Sequence, residues 1–183
     1  MRINSDRLAS AAEAKSVSVD QLAAALPKGD RRKQGELALK KVRNWMAGRD
    51  HPRCTPADMS AMAEVLGVKA KDLARFTTKY RFARSSARKA GLLTELIRGR
   101  RVDEADALLK FSPKRAAAMV RKALTAAIAD AEAADAAVDR LYVAESRVDG
   151  STALKRFQPK DRGRAHPILK RTSHIVVGVE EKA

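Results

Sequence analysis

The stretch LKRFQPKDRGRAHPILKRTSH, from Leu154 to His174, sets the main constraint on how this chain can fold. It carries seven basic side chains against a single acid, Asp161, and its few large apolar residues follow neither a helical nor a strand period. Like charges repel, and so little apolar surface cannot offset the entropy lost when the chain is ordered. The stretch is therefore either disordered or held in shape by something outside the protein.

The residues on either side of this stretch are typical of β-strands. Leu141–Glu145 leads out and Ile175–Val179 comes back, so the connection between them is far longer than a usual hairpin loop. One interpretation is a floppy surface loop. The other is a long arm, about residues 150–168, ordered by a polyanion. Its Arg and Lys side chains would neutralise phosphates, Gly163 would allow a close backbone approach, and Phe157 would stack on a base.

The charge of the whole chain favours a polyanion as partner. Its 183 residues carry 38 Lys and Arg against 22 Asp and Glu, a formal net charge of +16. Repulsion of this size opposes the folded state, and nucleic acid is the leading candidate to relieve it. An anionic membrane surface is second, but the sequence has no basic amphipathic helix with Trp or Phe on its apolar face and no apolar run long enough to span a bilayer.

The N-terminus and the cysteine content predict a cytosolic protein in a reducing compartment. The sequence before Pro27 lacks the uninterrupted apolar run of a signal peptide, and its acids argue against an organelle transit peptide. Cys54 is the only cysteine, which excludes an internal disulfide and a cysteine zinc cluster.

Residues 1–76 are predicted to form a small all-α domain. Ser18 with Gln21 fits a capping box, the segment from Pro27 to Asp30 breaks the helix that follows, and Thr55-Pro56-Ala57-Asp58 is typical of a helix start. Two further runs have helical spacing: Leu39, Val42 and Met46 with Trp45 beside them, ended by Gly48, and Met59, Met62, Ala63 and Leu66, ended by Gly67.

Residues 77–183 are predicted to combine helices and strands in an α+β fold. Tyr80–Arg84 has the pattern of a short strand, and a short helix opens at Val102. Ser112-Pro113 is predicted to start a longer helix with an apolar stripe from Ala117 to Ala131. A helix capped by Ser85 or Ser86 and ended by Gly99 would bury Leu92, Leu93, Leu96 and Ile97.

Catalysis has no support in the sequence. His51, His166 and His174 are scattered without a paired acid or cysteine, and no phosphate-binding glycine loop, paired carboxylate motif or nucleophile elbow is present. We therefore predict no enzyme activity, no catalytic residue, no metal and no cofactor.

Three ordered blocks carry a family resemblance: ARSSARKAGLLTELIRGRRVDEADALL (83–109), SPKRAAAMVRKALTAAIADAEA (112–133) and LKRFQPKDRGRAHPILKRTSHIVV (154–177). From about Tyr80 to the end, the chain resembles the bacterial large-subunit ribosomal protein L-twenty-two family. The resemblance implies three helices packed on a small antiparallel sheet with a long β-hairpin arm. It also implies a cytoplasmic, ribosome-bound protein that binds large-subunit ribosomal RNA, aids its assembly, contacts neighbouring ribosomal proteins, and places the arm tip near the nascent peptide in the exit tunnel.

The resemblance, together with the basic and aromatic side chains themselves, predicts RNA contacts in the arm, at the arm's base and on one face of the body. In the arm these are Lys155, Arg156, Phe157, Pro159, Lys160, Arg162, Gly163 and Arg164, and at its base Lys170, Arg171, Thr172, Ser173 and His174. On the body they are Arg81, Arg84, Ser85, Ser86, Arg88, Lys89, Arg98, Arg100, Arg101, Lys114 and Arg115. The chain departs from the family at Asp161 near the tip and at His166-Pro167 in the return strand.

Residues 1–76, which the family generally lacks, resemble a Cro-repressor-type helix-turn-helix module. SVDQLAAAL resembles its second helix, VRNWMAGR the end of its recognition helix, and TPADMSAMAEVLGVKAKDL its closing helices, with Pro27 to Glu36 as an insertion at the turn. Two roles stay open for this extension: a DNA-binding regulator, and a helical cap that binds surface RNA or a neighbouring protein. Lys40, Lys41, Arg43 and Arg49 would serve either role.

Overall fold

A computed structural model describes residues 2–27 and 34–182 of the chain, which divides into two units, Met1–Phe76 and Thr77–Lys182. Each unit contains its own set of buried apolar side chains. The α+β class expected from the sequence is confirmed.

The N-terminal unit consists mainly of helices. Its elements are β1 (Arg2–Ile3), α1 (Ser5–Ala14), α2 (Val19–Ala25), α3 (Gln34–Met46), α4 (Pro56–Leu66), a 3-10 turn (Ala70–Leu73) and the start of β2 (Ala74–Ala83). β1 pairs antiparallel with Ala74 and Arg75. The sequence predicted helices alone here, because a two-residue strand is too short to show a period of two.

Local capping explains where two of these helices begin. The Ser18 side chain accepts from the Gln21 amide while the Gln21 side chain accepts from the Ser18 amide, and Thr55 and Asp58 form the same reciprocal pair. Gly67 ends α4 with φ of 61°, a left-handed value that glycine adopts without steric cost. These capping predictions are confirmed.

A buried tryptophan organises the core of this unit. Trp45 is fully buried with Leu8, Leu22, Met59 and Met62, and its indole N–H donates to the carbonyl of Pro52 at 2.7 Å. The predicted helix break at Pro27 to Asp30 and the predicted insertion from Pro27 to Glu36 fall largely on residues 28–33, which lie outside the described residues. The turn that would define a helix-turn-helix therefore stays a prediction.

The second unit has three helices on a small antiparallel sheet. Its elements are β2, α5 (Ala87–Ile97), α6 (Val102–Phe111), α7 (Arg115–Glu132), a 3-10 turn (Val138–Arg140), β3 (Leu141–Gly150), β4 (Leu154–Pro159), β5 (Ala165–Lys170) and β6 (Ser173–Glu181). The sheet order is β2, β6, β3, and β4 pairs with β5 in a separate ribbon. Helix α7 packs on β6 and α5 packs on β3.

One of two predicted helix starts needs correction. Ser112 has an extended backbone and ends α6, while α7 begins at Arg115 with Lys114 as its N-cap. The extended backbone of Ser112 would also suit an N-cap before Pro113, but Ser112 is the C-cap of α6. The Ala117 amide donates to the Lys114 carbonyl at 2.8 Å, and α7 therefore starts two residues later than predicted. Ser86 is the N-cap of α5, but its side chain makes no capping hydrogen bond.

The buried face of α5 is narrower than predicted. Leu93 and Ile97 are buried with Ala90 and Thr94, one stripe at helical spacing, but Leu92 and Leu96 are 54% and 39% exposed on its flank. The core beneath the helices is formed by β-branched residues of β6, including Ile175, Val177 and Val179. Within the described ranges, no helix has both the length and the apolar character to cross a membrane.

The one cysteine is predicted to be chemically inert. Burial, together with Asp58 and Asp50, raises the pKa of the Cys54 thiol from 9.0 to about 12. Only the thiolate reacts, so at pH 8 the folded protein should hold about a thousandfold less reactive thiolate than the unfolded chain. A maleimide should therefore label native protein very slowly and urea-unfolded protein rapidly. Equal labelling rates would contradict the buried environment, and the Cys54→Ser variant gives the blank.

Candidate RNA-binding surface

The stretch between the two sheet strands forms a regular ribbon. β4 and β5 pair antiparallel from Leu154 opposite Lys170 to Pro159 opposite Ala165. Side chains of both strands are exposed, Ile168 being half-buried, and Phe157 is 72% exposed. Because both faces of the ribbon meet solvent, no apolar alternation arises, and this explains why the sequence showed no strand period.

The ribbon closes in a turn that has two residues in left-handed conformation. Arg162 and Gly163 have φ of 54° and 69°, the Lys160 amide donates to the Arg164 carbonyl at 2.7 Å, and the Arg164 amide donates to the Asp161 carbonyl at 3.2 Å. Positive φ at both central residues is the requirement of a type I′ hairpin turn. The departures from the family pattern fit this frame, since Asp161 opens the turn and Pro167 pairs with Phe157 inside the ribbon.

At the base of the arm, hydroxyl side chains turn inward. Thr172 is buried and its hydroxyl donates to the Thr152 carbonyl at 2.6 Å. Ser173 is fully buried, and its hydroxyl has no hydrogen-bond partner among the described residues. Because the Ser173 side chain is buried, it does not lie on the exposed surface where the predicted RNA contact would be made.

Four segments meet in a groove of about 970 Å³ beside the arm's base. They are the start of α5 with the residues before it, the start of α7, the first residue of β4, and the end of β5 with the residues after it. The groove is lined by Arg84, Ser85, Ser86, Lys89, Leu92, Lys114, Arg115, Ala116, Leu154, Leu169, Lys170, Arg171 and Thr172. We call this surface the basal groove. Nine of the predicted RNA-binding residues thus come together.

The helix starts at the basal groove add to its positive potential. Ser86 and Lys114 are the N-caps of α5 and α7, and neither cap makes a side-chain hydrogen bond within the described residues. Neither first turn contains an acid. Because the first amides of a helix lack internal partners and carry the positive end of its dipole, both helix ends favour an anion in the groove.

Other predicted contact residues make bonds inside the protein. A guanidinium N–H of Arg98 donates to the Ser146 carbonyl at 2.6 Å, and Arg100 Nε donates to the Leu96 carbonyl at 2.9 Å. Arg101 pairs with Asp103 at 3.3 Å and donates to the Asp139 carbonyl. Arg81 and Arg88 are exposed and do not line the basal groove.

Phe82 is an exposed aromatic residue beside a predicted contact, His174, and was not itself among the predicted contacts. Phe82 is 59% exposed with φ of 53°, and its ring lies 4.8 Å from that of His174 in an edge-to-face arrangement. The sequence contains no signal that predicts a left-handed backbone at a phenylalanine. The residue that contacts Phe82, His174, is 92 positions away in the chain, so local sequence could not reveal the pair.

Four further cations were predicted to bind RNA or DNA from the N-terminal unit. In the N-terminal unit, Lys40, Arg43 and Arg49 are exposed and Lys41 is half-buried. Within residues 2–27 and 34–182, no three His, Cys, Asp or Glu side chains are arranged to hold a metal ion.

A family model described as ribosomal protein L22p/L17e matches residues 78–180, more than half of the chain. The match spans α5 to β5, the second half of β2 from residue 78, and all but the last residue of β6. It confirms the resemblance carried by the three sequence blocks. It begins after the N-terminal unit.

The turn at the arm tip gives a prediction about local stability. A left-handed backbone costs most residues about 1–2 kcal/mol, and asparagine adopts it more readily than arginine. Arg162→Asn should therefore slow hydrogen exchange of the Lys160 amide by about two- to fivefold, measured by NMR on the free protein. Asp161→Asn, at a position without positive φ, is the matched control and should leave exchange unchanged. Equal exchange in all three proteins would contradict the turn.

Proposed function

Since this chain belongs to the ribosomal protein L22p/L17e family, we propose that it binds large-subunit ribosomal RNA through the basal groove and the arm. In doing so it helps the RNA domains assemble and places the arm tip along the nascent-peptide exit tunnel. Family membership itself makes the chain a structural protein of the large ribosomal subunit, a ribonucleoprotein particle of translation, rather than a member of an enzyme family.

The observation that carries RNA binding is the convergence of cations at the basal groove. Arg84 and Lys89, Lys114 and Arg115, and Lys170 and Arg171 come from three segments that are distant in sequence. Folding them together costs electrostatic free energy in the isolated protein, and a phosphate backbone in the groove removes that cost. Leu92, Leu154 and Leu169 line the same groove and give sugars and bases an apolar contact.

The arm supports the same proposal through its lack of internal packing. Each strand of the ribbon spans about 20 Å, and its exposed side chains make little contact with the rest of the unit. A two-stranded ribbon is at best marginally stable alone in water. RNA packed on both faces of the ribbon would supply the contacts that a protein core supplies elsewhere. Neighbouring ribosomal proteins and the nascent peptide are the further partners we propose at the arm.

For the N-terminal unit we keep the proposal of a cap that binds surface RNA or a neighbouring protein. Its exposed cations on α3, Lys40 and Arg43, suit that role. The alternative, a DNA-binding regulator, requires the full chain to prefer one duplex sequence over others of equal length.

The basal groove is tested by the salt dependence of RNA binding. Lys89→Ala with Lys114→Ala should reduce the slope of log K against log salt by about 0.7 for each single-strand phosphate that is no longer neutralised. Affinity for a large-subunit ribosomal RNA transcript, measured by filter binding at several salt concentrations, gives the slope.

The matched control is Lys110→Ala with Lys122→Ala. These lysines are exposed, lie outside the groove, and change the net charge by the same amount. Equal slopes for the two double variants would overturn the groove as a phosphate site and would reduce the effect to net charge.

The tunnel proposal is tested by crosslinking from the arm tip. Because Cys54 is buried and the only native cysteine, Asp161→Cys introduces one reactive thiol at the exposed tip, to which a photocrosslinker is attached. Ribosomes that carry this protein and a stalled, labelled nascent chain should give a crosslink to the peptide. Lys122→Cys on α7 should give none. Crosslinks to the peptide from both positions, or from neither, would contradict the placement of the tip.

A further inference from the structure

We propose that Phe82, held in place by His174, is a stacking platform for one unpaired base of the RNA. This inference rests on the RNA-binding function proposed above and adds a base contact to the phosphate contacts of the basal groove.

The backbone of Phe82 is held in an unfavourable conformation. Its φ of 53° lies in the left-handed region, where a bulky non-glycine residue is an outlier. Phe82 is the last residue but one of β2, Ala74–Ala83, and a left-handed value there breaks the alternation of side chains along the strand. Such strain persists only where the surroundings enforce it, and it concentrates at functional sites.

His174 supplies the enforcing contacts. The Phe82 amide donates to His174 Nδ1 at 3.1 Å, and the two rings meet edge to face with an interplanar angle of 75°. Since Nδ1 accepts a hydrogen bond, the geometry assigns the neutral tautomer with the proton on Nε2. His174 lies in β6 opposite Asp149 of β3, so its own position is fixed by the sheet. We therefore assign His174 as a positioning residue.

The ring is presented to solvent rather than packed. Phe82 is 59% exposed, whereas Phe76 in the same strand is fully buried. A T-shaped contact covers one face of one ring at most, so at least one face of the Phe82 ring is not covered by His174.

The surrounding charges indicate what covers that face. Arg81 precedes Phe82, and exposed Arg84, two residues further on, lines the basal groove. An aromatic platform beside cations is the usual arrangement for single-stranded nucleic acid, where bases stack on rings and phosphates pair with Arg or Lys. A base inside a duplex already has both faces stacked, so the partner of Phe82 is an unpaired base.

The inference is tested with the full chain bound to a large-subunit ribosomal RNA transcript. Phe82→Ala should weaken binding about tenfold while the slope of log K against log salt stays unchanged, because every phosphate contact remains. Phe82→Tyr should keep wild-type affinity. Dimethyl sulfate should newly modify an unpaired base in the Phe82→Ala complex while backbone cleavage protection persists.

The role of His174 is tested by a double-mutant cycle. Asparagine places an acceptor near the position of Nδ1, so His174→Asn should retain more affinity than His174→Gln. His174→Gln should weaken binding as much as Phe82→Ala does, and combining the two should add nothing, since both remove the same stacked base. Additive losses would overturn the positioning role.

The possible outcomes distinguish a failure of the stacking platform from a failure of RNA binding through the basal groove. If Lys89→Ala with Lys114→Ala lowers the salt slope but Phe82→Ala leaves affinity and base protection intact, the stacking platform is wrong and the groove stands. If the lysine variant behaves like its control, the groove proposal itself fails. Phe111→Ala, which removes another exposed phenylalanine outside the basal groove, should not expose the base that Phe82 protects.

Discussion

Repulsion among the cations of the arm is the constraint on which the rest of the structure depends. The ribbon of β4 and β5 is held by its backbone ladder, while Lys155, Arg156, Lys160, Arg162 and Arg164 project into solvent. No apolar face offsets this repulsion in the described part of the ribbon, and salt screens it only in part. Anions outside the protein would relieve this repulsion and stabilise the arm further. A phosphate backbone provides them at close, regular spacing.

The body of the second unit holds the base of the arm in place through strand pairing and buried side chains. β3 and β6 remain paired up to Gly150 opposite Ser173, and the Thr172 hydroxyl then ties the chain to Thr152. Buried Ile175 and Val177 anchor β6 beneath the helices. The helix starts and the end of β5 line one surface, the basal groove. In the proposed function, one RNA would contact both the body and the arm.

The sequence predicted features that depend on a few neighbouring residues, such as helix caps. It did not predict features that depend on contacts between distant segments. The capping boxes at Ser18 and Thr55 were found because they need only four consecutive residues. The regular pairing of the arm was predicted only through the family resemblance, since a ribbon exposed on both faces leaves no apolar pattern. Basic residues of the groove were predicted through family resemblance, but their convergence was not. The left-handed backbone of Phe82 depends on a histidine in another strand and leaves no trace in the sequence.

Cations and aromatic rings are suited to different parts of an RNA: cations to phosphates, and aromatic rings to bases. Contacts to phosphates give affinity that falls with salt and is blind to sequence, whereas contacts to bases give position. In the proposed function, Arg84 and Lys114 of the basal groove make contacts of the first kind, and the exposed rings of Phe82 and Phe157 are suited to the second. At the turn, the carboxylate of Asp161 lies among the cations Lys160, Arg162 and Arg164 and offsets one of their three positive charges. The tip therefore still attracts a phosphate backbone, but less strongly than three unopposed cations would.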